Sequence, residues 1–277
     1  MRLGEFDDIS LVIATHLWAH SKEELPLRKS TAGGTGNGFI AKRIRFLGRE
    51  SHGARPEEGI NALHAAHLAL AGINAQVVTF RDEDAVRVHP IITKGGNMVN
   101  IIPSEVDTLL LSLASLLPVL KQANEKIDRA LKAGAMALGA AVEIQDYPGY
   151  LPSLRHEALA KAFLRNMGEL IGEENVCYEE EHGAGSSDFG DLAHLMPAIQ
   201  ARVSGAKGVA HSPDYEIVDP EQAYIISSQA LAMTAVDLLC EGAQKAREIL
   251  ADFEPTLGRE EYLQTLRELA KSCTYRF

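Results

Sequence analysis

Two kinds of hydrophobic spacing alternate in the middle of the chain. In residues 40–46 the mostly apolar set recurs at every second position, which predicts a strand with one buried face. Residues 58–75 are rich in alanine and carry apolar side chains at helical spacing, which predicts a helix. The next predicted elements are strands at 86–92 and 106–112, a helix at 116–139 and a strand at 140–144. The order β-α-β-β-α-β is that of a split-βαβ, ferredoxin-like unit.

Stretches rich in helix and strand breakers flank this unit. AGGTGNG at 32–38 and QDYPGYLPS at 145–153 combine glycine, proline and polar residues, which predicts two hinges. The unit is therefore expected to be an insertion carried by a second domain. The predicted boundaries are 38–145 for the inserted domain, 1–37 with 146–252 for the carrier domain, and 253–277 for a C-terminal helical extension.

The segments outside the insertion have the composition of an α/β layer. Residues 8–16 form an apolar run that predicts a strand ending in histidine, and helical spacing follows at 154–171, 223–250 and 259–272. The N-terminal flank is too short to be a domain by itself. It must pack with the C-terminal flank or with another polypeptide.

Charge and cysteine content limit the classes of partner. The formal net charge is −11, which argues against general attraction to nucleic acid or anionic membranes. Three widely spaced cysteines fit neither a disulfide framework nor a zinc knuckle. The acidic start lacks the pattern of a signal peptide, and the longest apolar run is shorter than the ~20 residues that span a bilayer. We therefore expect a cytoplasmic protein with no nucleic-acid or membrane partner.

The local motifs give little chemistry by themselves. The sequence has ten histidines, and imidazole is a common ligand of zinc, but no HExxH motif is present. The glycine-rich 32–38 lacks the lysine and hydroxyl of a phosphate loop, and GAGSSDFGD lacks the second glycine of a serine-nucleophile turn. The acidic run 179–182 is expected to be a solvated edge. Taken singly, each histidine is expected to be structural.

Five strings in order resemble one family, the metal-dependent amidohydrolases and peptidases that include aminoacylase, carboxypeptidase G and aminobenzoyl-glutamate hydrolase. They are IATH, FLGRESHGARPEEGINALHAA, TKGGNMVNIIPSEV, GAGSSDFGDLAHLMPAI and GVAHSPDYEIVDPE. The resemblance implies an α/β fold, with part of a zinc-peptidase-like catalytic α/β domain and an inserted ferredoxin-like (βαββαβ) dimerisation domain. It also implies hydrolysis of N-acyl amino acids, aminobenzoyl-glutamate-like substrates or dipeptides, two zinc ions in the complete site, and a homodimer formed through 38–145.

The resemblance also assigns roles to single residues. His16 and His211 fall on metal-ligand positions, for which the structural alternative is a satisfied core histidine. His52 matches the lid histidine that enters the partner subunit's active site and stabilises the oxyanion, and its alternative is a turn residue that caps a helix. The substrate-binding positions that the resemblance implies are Asn100, Gly95, Gly96, Ser187 and Asp188. A plain hairpin turn would explain the two glycines equally well, and loop structure alone would explain the Ser-Asp pair.

Two segments of the family pattern are not found in these 277 residues. The HxCGHD-like segment and the paired-glutamate segment would supply the remaining ligands and the general base. Two histidines without them predict weak or absent zinc binding and negligible turnover by the chain alone. The first hypothesis is thus a portion of a hydrolase, which comes from a split gene, a shortened gene or a cut chain. A split gene would imply an N-terminal partner subunit. The second is a non-catalytic dimerisation or binding module, or a regulatory subunit derived from such a hydrolase.

Overall fold

The computed structural model describes residues 3–20 and 28–277, which divide into two compact units. The carrier unit comprises Met1–Thr35, Ser153–Gly183 and Asp188–Arg259, and the inserted unit comprises Gly36–Pro152, Ala184–Ser187 and Glu260–Phe277. The strands are β1 (Val12–His20), β2 (Ser30–Ala32), β3 (Thr35–Gly36), β4 (Gly38–Leu47), β5 (Arg87–Lys94), β6 (Glu105–Ala114), β7 (Ala141–Pro148), β8 (Val176–Tyr178), β9 (His182–Gly183), β10 (Ala198–Lys207), β11 (Glu216–Ile217) and β12 (Ser272–Tyr275). The α-helices are α1 (Ala62–Val77), α2 (Leu117–Leu138), α3 (Glu157–Ile171), α4 (Phe189–Ala193), α5 (Ser227–Asp252) and α6 (Arg259–Leu269).

The inserted unit has the predicted β-α-β-β-α-β order, so the ferredoxin-like prediction is confirmed. Its antiparallel sheet runs in the order β12-β7-β4-β6-β5, and α1 and α2 pack together against it. Alternate residues of β4 and β6 are buried, as strands with one covered face require. The main core joins the sheet to both helices through Ile44, Phe46, Leu110, Ile127 and Leu131.

The C-terminal residues belong to the inserted unit and are not a purely helical extension. Helix α6 ends at Leu269, whose side chain packs with Ile40 and Leu120 of the inserted unit. Strand β12 then pairs antiparallel with β7, with Cys273 opposite Ile144. A four-residue strand is too short to carry a periodic signal, so sequence spacing predicted only the helix.

Helices α1 and α2 meet at glycine and alanine positions. A Cβ atom on Gly134 would lie 2.5 Å from the backbone nitrogen of Ala69 and 2.6 Å from the carbonyl oxygen of Ala65. Both distances are shorter than non-bonded carbon contacts allow, and both involve backbone that cannot rotate away. Gly134 therefore sets how closely the two helices approach.

Replacing Gly134 with alanine should lower the free energy of unfolding by about 1–3 kcal/mol, because the helices must separate. This loss is expected even though alanine favours a helix by about 1 kcal/mol over glycine. Gly72→Ala is the matched control, since its Cβ would lie 3.3 Å from the Ala130 Cβ and no closer than 3.7 Å to any Ala130 backbone atom. Urea unfolding followed by circular dichroism measures both variants. Equal stability of the two would contradict the close helix contact.

A charged network lies inside the inserted unit. Lys42 Nζ lies 2.6 Å from a carboxylate oxygen of Asp128 and 2.6 Å from one of Asp146, and the Lys42 side chain is fully buried. Asn124 donates from Nδ2 to the other Asp146 oxygen at 2.9 Å. Burial raises the pKa of Asp128, and the ammonium of Lys42 opposes that rise. The network thus holds one buried and one partly buried carboxylate against a single cation.

The carrier unit contains a mixed sheet with helices packed on one face. The strand order is β1-β10-β2-β8, with β1 parallel to β10, β10 antiparallel to β2, and β2 parallel to β8. Helices α3 and α5 cover one face of this sheet through Leu159, Phe163, Met167, Ile199 and Val203, among others.

Strand β1 starts and ends later than the apolar run predicted. It begins at Val12 and continues to His20, because its parallel pairing with β10 continues to Lys207. His16 therefore lies within the strand and not at its end. The difference changes which neighbours surround this histidine.

The segment 221–252, which contains α5, is long and apolar enough by composition to cross a membrane. Its helical backbone angles are interrupted at Cys240–Ala243, however, and its inner face packs on α3, where Asn166 Nδ2 donates to Thr234 Oγ1 at 3.1 Å. The inner face of this helix therefore forms part of the carrier-unit core.

Candidate functional site

His16 projects from the open face of the carrier sheet. Its neighbour Thr15 lies 2.9 Å, oxygen to oxygen, from Ser227 of α5, so the alternating side chain of His16 faces away from the helices and is exposed. The Nδ1 atom of His16 lies 2.8 Å from the Leu17 carbonyl oxygen. A carbonyl only accepts, so Nδ1 donates, and in the neutral imidazole Nε2 then carries the lone pair. Metal-ligating imidazoles take this state.

His211 lies on the loop that follows β10. This loop is built from tight turns, with Ser212 donating its backbone N–H to Val209 and Tyr215 donating to Ser212. His211 is exposed and has a φ of 67°, in the left-handed region. The hydroxyl of Tyr215 donates to the Leu17 carbonyl at 3.4 Å, the same oxygen that His16 contacts. The structure thus ties the His211 loop to β1, while joint metal ligation by both histidines stays a prediction.

A polar row crosses the open face beside His16. In register, His16 pairs with Arg202 of β10, which pairs with Thr31 of β2. Glu179 accepts from Thr31 Oγ1 at 3.1 Å and forms an ion pair with Arg202 at 3.5 Å. Glu179 is therefore held in this row and does not lie on a solvated edge as predicted. The sequence signal for Arg202 is a lone cation within the apolar strand AIQARVSGA.

The described residues give an incomplete metal-ligand set. Within 3–20 and 28–277, no three His, Cys, Asp or Glu side chains lie close enough together to hold a metal ion. His16 has a suitable tautomer. Partial burial lowers the pKa of His182 on β9, whose Nδ1 lies 2.9 Å from Thr35 Oγ1. Because a catalytic zinc needs three protein ligands, we assign no reaction step to a metal in this chain.

His52 and Asn100 lie on paired backbone segments of the inserted unit. Gly53 donates its N–H to the Asn100 carbonyl at 2.7 Å, and His52 forms an antiparallel bridge with Ile101. The N–H of Ala54 donates to His52 Nδ1 at 3.0 Å. In the neutral imidazole the proton then lies on Nε2, so His52 presents an exposed hydrogen-bond donor. This tautomer is the opposite of that of His16.

Close backbone approach shapes the loop that carries His52. Arg49 and Ile60 exchange two backbone hydrogen bonds, of 3.0 and 2.9 Å, which close the loop. A Cβ atom on Gly48 would lie 2.1 Å from the Ile60 carbonyl oxygen, so only glycine fits there. The local sequence therefore fixes the loop that presents the histidine.

Gly95 and Gly96 lie on the exposed connection between β5 and β6. Gly96 has a φ of +131°, and an added Cβ would meet Pro103 at 3.1 Å, so its backbone requires glycine. A Cβ on Gly95 would make only ordinary contacts, at 3.7 Å. Turn geometry therefore explains Gly96 without a ligand, and a substrate role for either glycine stays a prediction.

Ser187 and Asp188 fall at the boundary of the two units. Ser187 closes the inserted-unit segment Ala184–Ser187, and the exposed Asp188 precedes helix α4 of the carrier unit. The fully buried Asn37 holds the segment, since its backbone N–H donates to Gly185 at 2.8 Å and its Nδ2 to Ala184 at 3.1 Å. Sequence spacing placed Asn37 in a hinge and did not predict this role.

Comparison with known proteins finds a peptidase dimerisation domain and dipeptidase homologues. Residues 37–136 match the peptidase dimerisation domain of M20 proteins. Human Xaa-Arg dipeptidase is 31% identical over 235 residues, which are 80% of this chain and 52% of that protein. This chain is homologous to the M20 peptidases and carries their dimerisation domain. It spans about half the length of the curated M20 relatives that it matches.

Solved M20-type structures share the fold. An aminobenzoyl-glutamate utilization protein from Klebsiella pneumoniae aligns with a TM-score of 0.63 and 18% identity, over 87% of this chain and 58% of that one. A dinuclear metal-binding M20 peptidase from Bacillus subtilis aligns with a TM-score of 0.61 and 18% identity, over 86% of this chain and 60% of that one. At such identities the likeness establishes the fold alone, and it confirms the predicted α/β domain with an inserted dimerisation domain.

Proposed function

We propose that this chain supplies the dimerising lid and part of the metal site of an M20-type hydrolase that cleaves dipeptides or N-acyl amino acids. Homology to a dipeptidase supports the reaction class. The observation that carries the proposal is the pairing of the His52 and Asn100 segments, with His52 held as an Nε2 donor. Both residues offer hydrogen-bond donors of the kind that amide hydrolysis requires.

The chemistry follows from the donor groups. Water adding to an amide carbonyl creates negative charge on the carbonyl oxygen, which a positioned N–H donor stabilises. His52 offers such a donor from Nε2. The side-chain amide of Asn100 offers two more N–H groups, suited to a substrate carboxylate. In a homodimer formed through 38–145, His52 of one protomer would serve the substrate held by its partner.

His16 and His211 would contribute imidazoles to a metal centre, which supplies electrostatic activation of water when the metal is bound. His16→Ala should weaken zinc binding by about tenfold or more, because the Nε2 lone pair of His16 is lost. Competition against a zinc chelator measures the affinity. His67→Ala removes an exposed histidine of α1 and is the matched control. Equal affinity of the two variants would contradict the role of His16.

The alternative is a non-catalytic dimerisation or regulatory module. It is favoured by the lack of a three-ligand cluster among residues 3–20 and 28–277. Arginine release from Xaa-Arg dipeptides, and amino-acid release from N-acyl amino acids, decides between the two functions. Both reactions are assayed in the presence of zinc. Each is measured for the chain alone and for the chain combined with the unmatched part of the human relative. An assembly that binds zinc but shows no turnover would contradict the hydrolase and favour the module.

A further inference from the structure

A polar groove lies on the open face of the inserted sheet, where β12 extends that sheet. Tyr275 of β12 packs on the core that α1 and α2 share, so the alternate residues Ser272 and Thr274 face the open side. In register, Arg43 of β4 pairs with Gln145 of β7, which pairs with Ser272. The polar side chains that line the groove are those of Arg43, Arg45, Glu143, Gln145, Ser272 and Thr274. Strand β12 therefore forms one wall of the groove.

Arg43 is a cation without a partner in the described part of the chain. Its side chain is exposed on the central strand β4, and it forms no hydrogen bond or ion pair with residues 3–20 or 28–277. The neighbouring Arg45, by contrast, donates from Nε to Asp107 at 3.1 Å. A guanidinium presents parallel N–H donors that match a carboxylate, and the Gln145 amide and the Ser272 hydroxyl add further donors. This end of the groove therefore suits a carboxylate group.

Glu143 supplies the opposite charge two residues away on β7. It pairs directly with Arg45, so it is the diagonal neighbour of Arg43 on the same face, at about 7–8 Å. Its carboxylate is 43% exposed and lies 3.9 Å from Arg45 Nη1, which is long for an ion pair. Because Arg45 is bound more closely by Asp107, Glu143 can accept hydrogen bonds from an ammonium group. The groove thus has a positive end and a negative end.

The size and the two charges of the groove restrict the ligand. The volume is about 270 Å³, below the ~300 Å³ at which pockets for drug-sized ligands begin. Inorganic phosphate would be repelled by the carboxylate of Glu143, and a simple amine would be repelled by the guanidinium of Arg43. A small molecule that carries a carboxylate and an ammonium on one carbon atom satisfies both ends.

We infer that this groove binds a free α-amino acid, with its carboxylate on Arg43 and Ser272 and its ammonium on Glu143. The site lies on β4, β7 and β12, and the long edge strand β5 lies at the other side of the sheet. Binding there needs neither a metal nor turnover. The inference therefore goes beyond the proposed function and does not rest on it.

Titration of L-alanine into the isotope-labelled full chain tests the site, with propionate and ethylamine as matched ligands. Propionate keeps the carboxylate and lacks the ammonium, and ethylamine does the reverse. The amide NMR signals of Gln145, Ser272 and Thr274 report binding in the groove. Arg43→Met removes the unpaired cation from an exposed position. Arg87→Met is the control, because Arg87 is exposed on the same face but lies on β5, and its neighbour packs on the core.

We expect saturable shifts of these signals with L-alanine, at a Kd of about 1–10 mM, and binding of propionate and ethylamine that is about tenfold weaker or worse. Arg43→Met should weaken L-alanine binding about tenfold or more, and Arg87→Met should bind as the wild type does. Glu143→Gln should bind L-alanine and propionate equally, because the preference for the ammonium is lost.

Three results would overturn the inference. Equal binding of propionate and L-alanine by the wild type would indicate a plain anion site. Shifts that do not saturate, or an equal effect of Arg43→Met and Arg87→Met, would indicate that the groove holds no specific ligand. Hydrolytic activity enters none of these readouts, so their failure would leave the proposed function unaffected.

Discussion

Replacing Lys42 with methionine is expected to lower the free energy of unfolding by about 3–5 kcal/mol. In the native chain a carboxylate oxygen of Asp146 and one of Asp128 each lie 2.6 Å from Lys42 Nζ. The variant would leave the buried Asp146 and the partly buried Asp128 without this cation. Methionine fills a similar volume, so the loss reports the charge and not a cavity. Urea unfolding followed by circular dichroism measures the effect.

The pH dependence distinguishes this cause from a packing defect. Burial already raises the pKa of Asp128, and losing the Lys42 ammonium raises it further. A carboxyl group with a raised pKa in the folded state is stabilising below its unfolded pKa, and this contribution is lost as the pH rises through the folded pKa. The deficit of Lys42→Met should therefore be largest at neutral pH and shrink in acid.

The neighbouring residue provides a control for Lys42→Met. Arg43 is the next residue on β4, and its side chain is exposed, so Arg43→Met should change the free energy of unfolding by no more than about 0.5 kcal/mol. Replacing Lys42, Asp128 and Asp146 together with apolar residues should recover much of the loss. An equal effect of Arg43→Met, or a deficit independent of pH, would contradict the buried-charge explanation.

For the proposed hydrolase, His52→Ala is expected to lower kcat for dipeptide hydrolysis by about 100- to 1000-fold, the usual effect of losing one oxyanion donor. KM should change little, because the Nε2–H of His52 would act mainly when charge develops on the carbonyl oxygen. The assay uses whichever preparation shows turnover, the chain alone or the chain with its complementary half. Steady-state rates of arginine release give both constants.

Two further variants separate an oxyanion role of His52 from a structural one. His67→Ala removes another exposed histidine of the inserted unit and should leave kcat unchanged. Mixing inactive His52→Ala and His211→Ala protomers should restore part of the activity, since a mixed dimer contains one site with both residues intact. A rise in KM with constant kcat, or no restoration on mixing, would contradict action of His52 across the dimer.

Sequence periodicity predicted the inserted unit because each of its elements is long enough to show a period. The alternation through Ile40, Ile44 and Phe46 identified β4, and it even placed Lys42 on the buried side. The cation's partners could not be predicted, because Asp128 lies 86 positions away and nothing local marks the pairing. Packing between elements that are distant in sequence brings Lys42 and Asp128 together.

The sequence allowed a prediction of residue types for the candidate site, which stays a prediction, but it did not allow one of their local geometry. Family resemblance assigned His16 and His52, but only the hydrogen bonds to Leu17 and from Ala54 show that the two imidazoles hold opposite tautomers. Tyr215 was not predicted at all, since a tyrosine four residues after a histidine is an unremarkable pattern. The tautomer of each imidazole therefore depends on the directions of nearby backbone carbonyl and amide groups, which residue spacing does not encode.

The C-terminal strand β12 limits how the inserted sheet can grow. Because β12 covers β7, one edge strand of this sheet has only four residues, and short edge strands are poor sites for pairing. The eight-residue β5 is therefore the long open edge of the sheet within the described residues. Edge-to-edge joining of two such sheets would use up that edge on both copies, so the assembly would close as a pair. Without residues 272–277 each sheet would have two joinable sides, and the same contact could propagate into a filament.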